Sequence, residues 1–510
     1  MIKSFKMALS NIQIKLVVGI TALSVFSCSQ KPVEETAAHK AYSEPFRPKF
    51  HFSPPANWMN DPNGMVYWDG EYHLFYQYFP DSTVWGPMHW GHAVSRDLVH
   101  WENLPVALAP DSLGYIFSGS AVMDLDNTSG LGSKENPAMV ALYTYHDPIG
   151  EKKGTIDFQT QGLAYSQDKG RTWTKYADNP VLKNPGIRDF RDPKVTWYEP
   201  ANGPGKWIMA LAAQDRIQFY SSPNLLDWSL ESEFNPEWAA YGGVWECPDL
   251  FPIQSDSGKD KWALLVSINP GGPQGGSATQ YFVGDFDGKN FNPDTDRTLW
   301  LDHGADNYAG VTWSNIPESD GRRLFIGWMS NWQYAQIVPT HPWRSAMTLP
   351  RNLVLLEKDG NLRLHSRPAQ EIESLRVKSV AISGQQITIE EPLSELELVP
   401  QAADFQIIIS NQAGESVKLG KEGDSFFFDR SASGKTDFHA DFGNVQQMPL
   451  EGIQFQSLRI FIDRSSIEVF VNGGERVMTE LVFPNKPYTQ LRLEGFPGDQ
   501  KIHYLSRIWN

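Results

Sequence analysis

Cysteine is scarce in this chain, with only Cys28 and Cys247 among 510 residues. If Cys28 is modified, as its context below indicates, no intramolecular disulfide is possible and the fold must rest on its core. Metal-binding patterns are also few. His89 and His92 have ligand-like spacing, but no acids accompany them, so we interpret them as structural histidines and expect no metal ion and no organic cofactor.

Positive charge is the second deficit. The chain has 44 Lys and Arg against 60 Asp and Glu, a formal net charge of -16. A nucleic-acid-binding protein needs a basic face to neutralise phosphates. The charge balance therefore excludes a nucleic-acid partner and is typical of a soluble protein with a neutral ligand. The sequence does not indicate an oligomeric state.

Long apolar runs are missing except at the N-terminus, where LVVGITALSVF (16–26) follows three lysines. This run is too short to span a bilayer but suits a signal peptide. VFSCS resembles a bacterial lipobox, so residues 1–28 are predicted as a lipoprotein signal peptide with lipidation at Cys28. The alternative is a cleaved soluble export signal. Polar residues 29–45 are predicted as a flexible tether, which gives an exported protein anchored by lipid at the cell surface or in the periplasm.

Helical periodicity is almost absent between residues 46 and 356, where short alternating strands and turns follow one another. Four related turn phrases end in Trp101, Trp173, Trp228 and Phe291, which are 72, 55 and 63 residues apart. A repeat of this length is typical of a four-stranded propeller blade. We therefore predict an all-β protein whose residues 46–356 form a five-bladed β-propeller. Hairpins of one large sandwich are the alternative.

Tryptophan nearly disappears after residue 356 and returns only at Trp509. Strictly alternating stretches such as DFQIIIS and IEVFVN dominate this part of the chain. Alternation with polar turns predicts a β-sandwich over residues 369–510, preceded by a linker over 357–368. The sandwich is expected to pack against the propeller or to bind ligand rather than to carry chemistry.

Three acids stand out against this background because each lies among aromatic residues and close to a proline. They are Asp61 in WMNDPNG, Asp192 in FRDPKV and Glu246 in GGVWECPDLF. Proline restricts its own backbone and that of the preceding residue. Taken singly, each acid is better explained as a turn residue or as part of an ion pair. A propeller, however, brings its innermost strands around one axis, so acids from different blades can share a pocket.

Paired carboxylates with aromatic walls are the equipment of glycoside hydrolysis, in which one acid attacks the anomeric carbon and another protonates the leaving oxygen. The motifs WMNDPNG, HLFYQYFP, FSGSAV, FRDPKV and WECPDLF resemble those of glycoside hydrolase family 32, the invertase, inulinase and levanase family, in order and approximate spacing. DNYAGVTW, IGWMSNWQYA and RIFIDRSSIEVFVN resemble its later motifs. The likeness extends from about residue 46 to the end.

The resemblance implies a role for each acid. Asp61 would be the nucleophile of a retaining mechanism, Glu246 the general acid and then base, and Asp192 the residue that binds fructosyl hydroxyls and stabilises the transition state. It further implies a fructosyl site lined by Trp58, Asn60, Gln77, Trp85, Phe117, Ser118, Arg191, Tyr308 and Trp332. For the aromatic members of this set, packing within the blades is the alternative. Cys247, without a histidine partner, is interpreted as packing beside Glu246.

The expected function is a lipid-anchored β-fructosidase that removes terminal β-D-fructofuranosyl residues from levan or inulin, and from sucrose. Two alternatives remain open: an arabinanase- or xylosidase-type five-bladed hydrolase, and a non-catalytic fructan-binding surface protein. The linkage preference and the choice between exo and endo attack depend on loop shapes that the sequence does not fix.

Overall fold

The computed structural model describes residues 42–509 of the chain. The predicted signal peptide, the lipidation site Cys28 and most of the predicted tether lie outside this range. Among the described residues, no helix has the length and apolarity needed to cross a membrane.

Five sheets of the described chain, antiparallel except for one short pairing in the first, follow one another in sequence and form a five-bladed β-propeller, as predicted. The first and second blades contain β1 (Asn57–Trp68), β2 (Glu71–Phe79), β3 (His89–Ser95), β4 (Trp101–Leu108), β5 (Tyr115–Asp124), β6 (Ala138–His146), helix α1 (Pro148–Lys153), β7 (Gln159–Ser166) and β8 (Thr174–Lys175). The third and fourth contain β9 (Phe190–Tyr198), β10 (Lys206–Ala213), β11 (Ile217–Ser222), β12 (Ser229–Phe234), β13 (Val244–Gln254), β14 (Asp260–Asn269), β15 (Ala278–Phe286), β16 (Phe291–Pro293) and β17 (Leu299–Trp300).

The fifth blade is assembled around β18 (Tyr308–Thr312), β19 (Arg323–Met329), β21 (Ala346–Met347), β22 (Arg351–Lys358) and β23 (Asn361–Pro368). A 3₁₀ turn (Ala335–Ile337) and the short β20 (Trp343–Arg344) lie between β19 and β21. β20 pairs in parallel with β1, so the end of the propeller is hydrogen-bonded to its beginning. The first strands of successive blades, β1, β5, β9, β13 and β18, contact one another around the central axis.

The repeated turn phrases connect the third and fourth strands of the blades, as a propeller requires. Ser95 donates to Asp97 in the first blade, and Ser166 donates to Asp168 in the second. In the third blade, Asn224 takes the place of the aspartate and accepts from Ser222. The polar residues of these phrases therefore shape hairpin turns far from the three candidate acids.

The structure corrects the linker predicted for residues 357–368. β23 pairs residue by residue with β22, from Arg351 opposite Pro368 to Lys358 opposite Asn361, and completes the fifth blade. The prediction relied on the loss of tryptophan, but the stretch NLRLHSRP keeps the alternation of a strand, with Leu362 and Leu364 buried.

Two six-stranded sheets form the C-terminal β-sandwich, as predicted. After a 3₁₀ helix (Gln370–Leu375), its strands are β24 (Arg376–Ile382), β25 (Gln386–Thr388), β26 (Ser394–Leu398), β27 (Phe405–Ser410), β28 (Ser416–Glu422), β29 (Ser425–Ala432), β30 (Val445–Pro449), β31 (Leu458–Ile462), β32 (Ser466–Val471), β33 (Arg476–Leu481), β34 (Gln490–Glu494) and β35 (Gln500–Leu505). Alternate residues of the two sheets, including Ile407, Leu419 and Ile460, are buried in one apolar core.

The N-terminal segment lies between the two domains, which corrects the extent of the predicted tether. The Tyr42 ring stacks on Trp509 with centroids 4.1 Å apart, and Arg47 forms a buried ion pair with Glu44. Residues 42–45 are therefore part of the folded domain, because burying an aromatic ring and an ion pair fixes this stretch of chain.

Buried charged networks join the propeller to the sandwich. His51 contacts Asp463 and Glu468 of the sandwich, both at 2.8 Å. Arg351 of β22 donates to Glu468 at 2.6 Å and to Asp302 at 3.0 Å. Since breaking one member of such a network leaves an unpaired buried charge, the two domains are held as a unit.

Candidate active site

The three candidate acids converge in one cavity of about 350 Å³ at one end of the propeller axis. Asp61 lies on β1, Asp192 on β9 and Glu246 on β13, each near the start of its strand. The Cys247 sulfur lies 3.7 Å from Asp61 Oδ2 and 3.6 Å from Asp192 Oδ2. Cys247 is thus buried between the two aspartates, in keeping with a packing role beside Glu246.

A β-bulge interrupts each of the five innermost strands at the level of this cavity. On β1, Asn60 and Asp61 together lie opposite Gln77, and the pairing resumes at Pro62. The other four bulges place residues 117–118, 192–193, 247–248 and 309–310 opposite a single partner. A bulge re-aims a side chain without ending the strand. The bulges on β1, β5 and β9 turn Asn60, Asp61, Phe117, Ser118 and Asp192 toward the cavity.

Proline and a left-handed backbone together mark two of these bulges, those on β9 and β13. Asp192 has φ of +65° and Cys247 has φ of +46°, a region that non-glycine residues rarely occupy. Pro193 and Pro248 follow directly and cannot donate a ladder hydrogen bond, which suits a bulge rather than regular pairing. The backbone N–H of Asp192 is instead satisfied by Thr144 Oγ1 at 3.0 Å.

Asp61 is held by Ser118, whose hydroxyl donates to Oδ2 at 2.8 Å. Among the described residues, Asp61 Oδ1 and Gln77 Nε2 are buried without a hydrogen-bond partner. Buried polar groups are normally paired, so these two cavity-lining atoms are suited to the hydroxyls of a substrate. Burial raises the pKa of the Asp61 carboxyl, the nearby Glu246 raises it further, and hydrogen bonds from Asn60 and Ser118 oppose the rise.

Glu246 is oriented by two fixed donors. Arg191 donates to Oε1 from Nε at 3.1 Å and from Nη2 at 3.0 Å, while the Tyr308 hydroxyl donates to Oε2. The third acid, Asp192, accepts from the backbone N–H of Cys247 at 3.0 Å. Burial raises the pKa of Asp192, Arg191 lowers it, and the other two acids raise it again.

Ten of the twelve predicted site residues line the cavity: Asn60, Asp61, Gln77, Trp85, Phe117, Ser118, Arg191, Asp192, Glu246 and Trp332. Trp58 and Tyr308 do not. Both are fully buried one layer below, where Trp58 donates to Asn60 at 2.7 Å and lies against Trp332. Trp58 therefore packs within the blades, which was the alternative for the aromatic residues. Tyr308 lies below the cavity surface and donates a hydrogen bond to Glu246.

Several lining residues were missed by the sequence reasoning, among them His146, Glu151, Phe158, Gln159, Asp189, Asn269 and Gln336. Most lie in stretches without proline-marked acids or family motifs, so nothing in the local sequence separates them from ordinary blade residues. Elsewhere, His92 contacts His73 at 3.0 Å inside the first blade. Within residues 42–509, no cluster of His, Cys, Asp or Glu side chains has the arrangement of a metal site.

Two family descriptions match the chain: "Glycosyl hydrolases family 32 N-terminal domain" over residues 51–368 and "Glycosyl hydrolases family 32 C terminal" over residues 361–509. The chain belongs to glycoside hydrolase family 32. The predicted resemblance is thereby confirmed, and the protein is a glycoside hydrolase.

Named relatives and solved structures agree with this assignment. A levanase of Bacillus subtilis is 48% identical over 503 residues, which span 93% of this chain and 72% of the relative. An extracellular exo-inulinase of Aspergillus awamori is 39% identical, covering 92% of this chain and 96% of the relative. The crystal structure of an exo-inulinase from Aspergillus awamori superposes with a TM-score of 0.83 at 37% identity, over 92% of this chain and all of that one. The structure of a β-fructofuranosidase from Schwanniomyces occidentalis complexed with fructosyl-erythritol superposes with a TM-score of 0.81 at 34% identity. The match covers 92% of this chain and 99% of that one.

Proposed function

We propose that this protein is a retaining β-fructosidase that removes terminal non-reducing β-D-fructofuranosyl residues from fructans, and also hydrolyses sucrose. The observation that carries the proposal is the convergence of Asp61, Asp192 and Glu246 in a single cavity of a family 32 fold. The names of the relatives, levanase, exo-inulinase and β-fructofuranosidase, support a fructosyl substrate.

In the proposed mechanism, Asp61 attacks the anomeric carbon of the terminal fructosyl unit. The bond from that carbon to the leaving oxygen breaks as Glu246 gives its proton to this oxygen. Glu246 then removes a proton from water, which attacks the same carbon and releases fructose and the Asp61 carboxylate. Asp192 contributes hydrogen bonds to the fructosyl hydroxyls, which strengthen as positive charge develops on the ring.

The shape of the cavity supports exo attack. Its volume of about 350 Å³ is near the lower end of the range for small-ligand pockets, about 300–1,000 Å³. Phe117 and Trp85 form part of its wall, with ring centroids 6.0 Å apart, and Trp332 contributes a further aromatic side chain. A pocket of this size suits one terminal sugar unit with flat walls for its apolar face.

Product analysis over time tests the proposal. Purified protein incubated with levan, inulin and sucrose is expected to release free fructose from the start, with the anomeric configuration of the initial product retained in NMR spectra. Asp61→Asn and Glu246→Gln are each expected to remove most turnover while leaving the folded state intact. A ladder of oligosaccharides would indicate endo attack, and no fructose from any substrate would favour a binding protein without catalysis.

Export and lipid anchoring form a second part of the proposal. Several relatives are extracellular exo-inulinases, which supports export, whereas lipidation at Cys28 rests on the lipobox-like VFSCS sequence. Membrane fractionation tests the anchor: the full chain is expected in the membrane fraction and the Cys28→Ala variant in the soluble fraction. Equal partition of the two would reject the lipid anchor.

A further inference from the structure

One side of the cavity is formed by the end of β6, the start of β7 and the connection between these strands. His146, Glu151, Phe158 and Gln159 all line the cavity there. Helix α1 within this connection is fixed at both ends, since Asp147 caps its N-terminus and Gly154 closes it in the left-handed conformation. The connection is therefore a defined wall rather than a loose loop.

His146 supports the fructosyl pocket from behind. Its ring lies parallel to that of Phe117, with centroids 4.3 Å apart and an interplanar angle of 7°. Phe158 packs edge-on against the same imidazole ring, with ring centroids 5.3 Å apart. Because His146 is buried, the position of the Phe117 wall depends on the position of this ring.

Hydrogen bonds around Gln159 define the proton position on His146. Gln159 Oε1 accepts from the Phe190 backbone N–H at 2.8 Å and from Arg191 Nη1 at 3.4 Å. The amide nitrogen of Gln159 therefore faces His146 Nδ1, to which it donates at 3.3 Å. With Nδ1 accepting, the proton resides on Nε2, which donates to Glu151 at 3.1 Å.

These bonds form a continuous connection from the surface helix to the candidate general acid. Glu151 accepts from His146, His146 accepts from Gln159, Gln159 accepts from Arg191, and Arg191 donates to Glu246. Glu151 is the outer end, with a side chain 43% exposed.

This inference rests on the proposed function and concerns which part of the substrate lies against the side of the cavity that carries Glu151. A terminal fructosyl unit at Asp61 and Asp192 fills the buried end of the cavity, so the rest of the substrate must pass the exposed end. We propose that Glu151, on this wall of the cavity, receives the sugar unit on the leaving-group side of the scissile bond. Glu151 accepts hydrogen bonds from the hydroxyls of this sugar unit, and His146 is a positioning residue that holds Glu151 and Phe117.

Substrates that differ only in their leaving group test this assignment. Methyl β-D-fructofuranoside carries the fructosyl unit with a leaving group too small to reach helix α1, whereas an inulin or levan oligosaccharide extends along it. For Glu151→Ala, the ratio of kcat/KM for the oligosaccharide to that for the methyl fructoside is expected to fall about fivefold, mainly through KM, as one hydrogen bond is lost. Glu135→Ala, an exposed Glu→Ala change outside the cavity, is expected to leave the ratio unchanged.

Two substitutions of His146 separate its contributions. His146→Phe keeps a ring beside Phe117 but loses both hydrogen bonds, and is expected to reproduce the Glu151→Ala change in the ratio. His146→Gln keeps a donor and an acceptor and should restore part of the ratio, with thermal unfolding used to confirm that both variants fold. Equal losses on the two substrates, or no loss on either, would overturn the leaving-group assignment. Failure of the unsubstituted protein to hydrolyse either substrate would instead overturn the proposed function.

Discussion

The hydrogen bond from Ser118 to Asp61 shows how one side chain can set the working range of the site. Burial and the Glu246 carboxylate both raise the Asp61 pKa above its ordinary value, and Ser118 lowers it by stabilising the charged form. Asp61 must be ionised to attack. Activity is therefore lost as the pH falls through the Asp61 pKa, which forms the acid limb of the pH–rate profile.

Removing this hydroxyl is expected to move the acid limb of kcat/KM to higher pH. In Ser118→Ala the charged form of Asp61 loses a hydrogen bond, so its pKa rises further above its ordinary value. The profile of kcat/KM against pH reports the free enzyme and is the measurement to make. Ser118→Thr keeps the hydroxyl and should keep the limb in place. An unmoved limb in Ser118→Ala would mean that another group controls it.

At the level of single residues, the sequence identifies the three acids but not the residues that hold the site in position. Asp61, Asp192 and Glu246 are found because a nearby proline signals an unusual backbone beside each carboxyl. His146 and Gln159 are not found, because their importance lies in partners that become neighbours only when β6, β7 and β9 are assembled.

The five aligned bulges interrupt the regular strand pairing of the propeller at the candidate active site. Two of them are connected across blades by Thr144. It lies opposite the Phe117–Ser118 bulge on β5, and its hydroxyl oxygen accepts from the N–H of Asp192 at the β9 bulge. The same hydroxyl donates to Gln161 at 2.6 Å. The position of Asp192 thus depends on a threonine of the preceding blade.

Thr144→Val, which keeps the shape but removes the hydroxyl, is expected to lower kcat at least tenfold and stability by about 1–2 kcal/mol. The reason is that the buried N–H of Asp192 loses its acceptor and the bulge shifts. Steady-state kinetics and denaturant unfolding measure the two effects. Thr144→Ser retains the hydroxyl and serves as the control. Wild-type kcat in Thr144→Val would show that the bulge is held by other contacts.

Strand existence was predictable from alternation and turn phrases, but the bulges and the end of the fifth blade were not. A bulge is defined by the partner strand, and a single sequence does not specify pairing register. Similarly, β23 was interpreted as a linker from composition, although its pairing with β22 makes it part of the blade.

For the whole molecule, the buried ion network at His51 makes the joint between propeller and sandwich sensitive to pH. Burial alone would lower the His51 pKa, but hydrogen bonds to Asp463 and Glu468 outweigh it and raise the pKa to about 9. The unfolded chain has the ordinary value of about 6.5. The stabilisation is therefore complete below about pH 6.5 and is lost as the pH rises through about 9.

We expect the difference in stability between the wild type and His51→Gln to shrink between pH 6.5 and 9, by up to about 3 kcal/mol. Thermal unfolding at closely spaced pH values measures this difference. His100→Gln, at an exposed histidine of the first blade, is the matched control and should show no such trend. A constant difference across the range would mean that His51 is not charged in the fold.

The stacking of Tyr42 on Trp509 also has a topological consequence. The first and last described residues, Tyr42 and Trp509, are in contact. The described part of the chain could therefore be closed on itself and cut elsewhere without changing the pairing within its seven sheets. A circular permutant that joins these ends through a short linker, and opens at the exposed turn 412–414 of the sandwich, keeps all of the strand pairings.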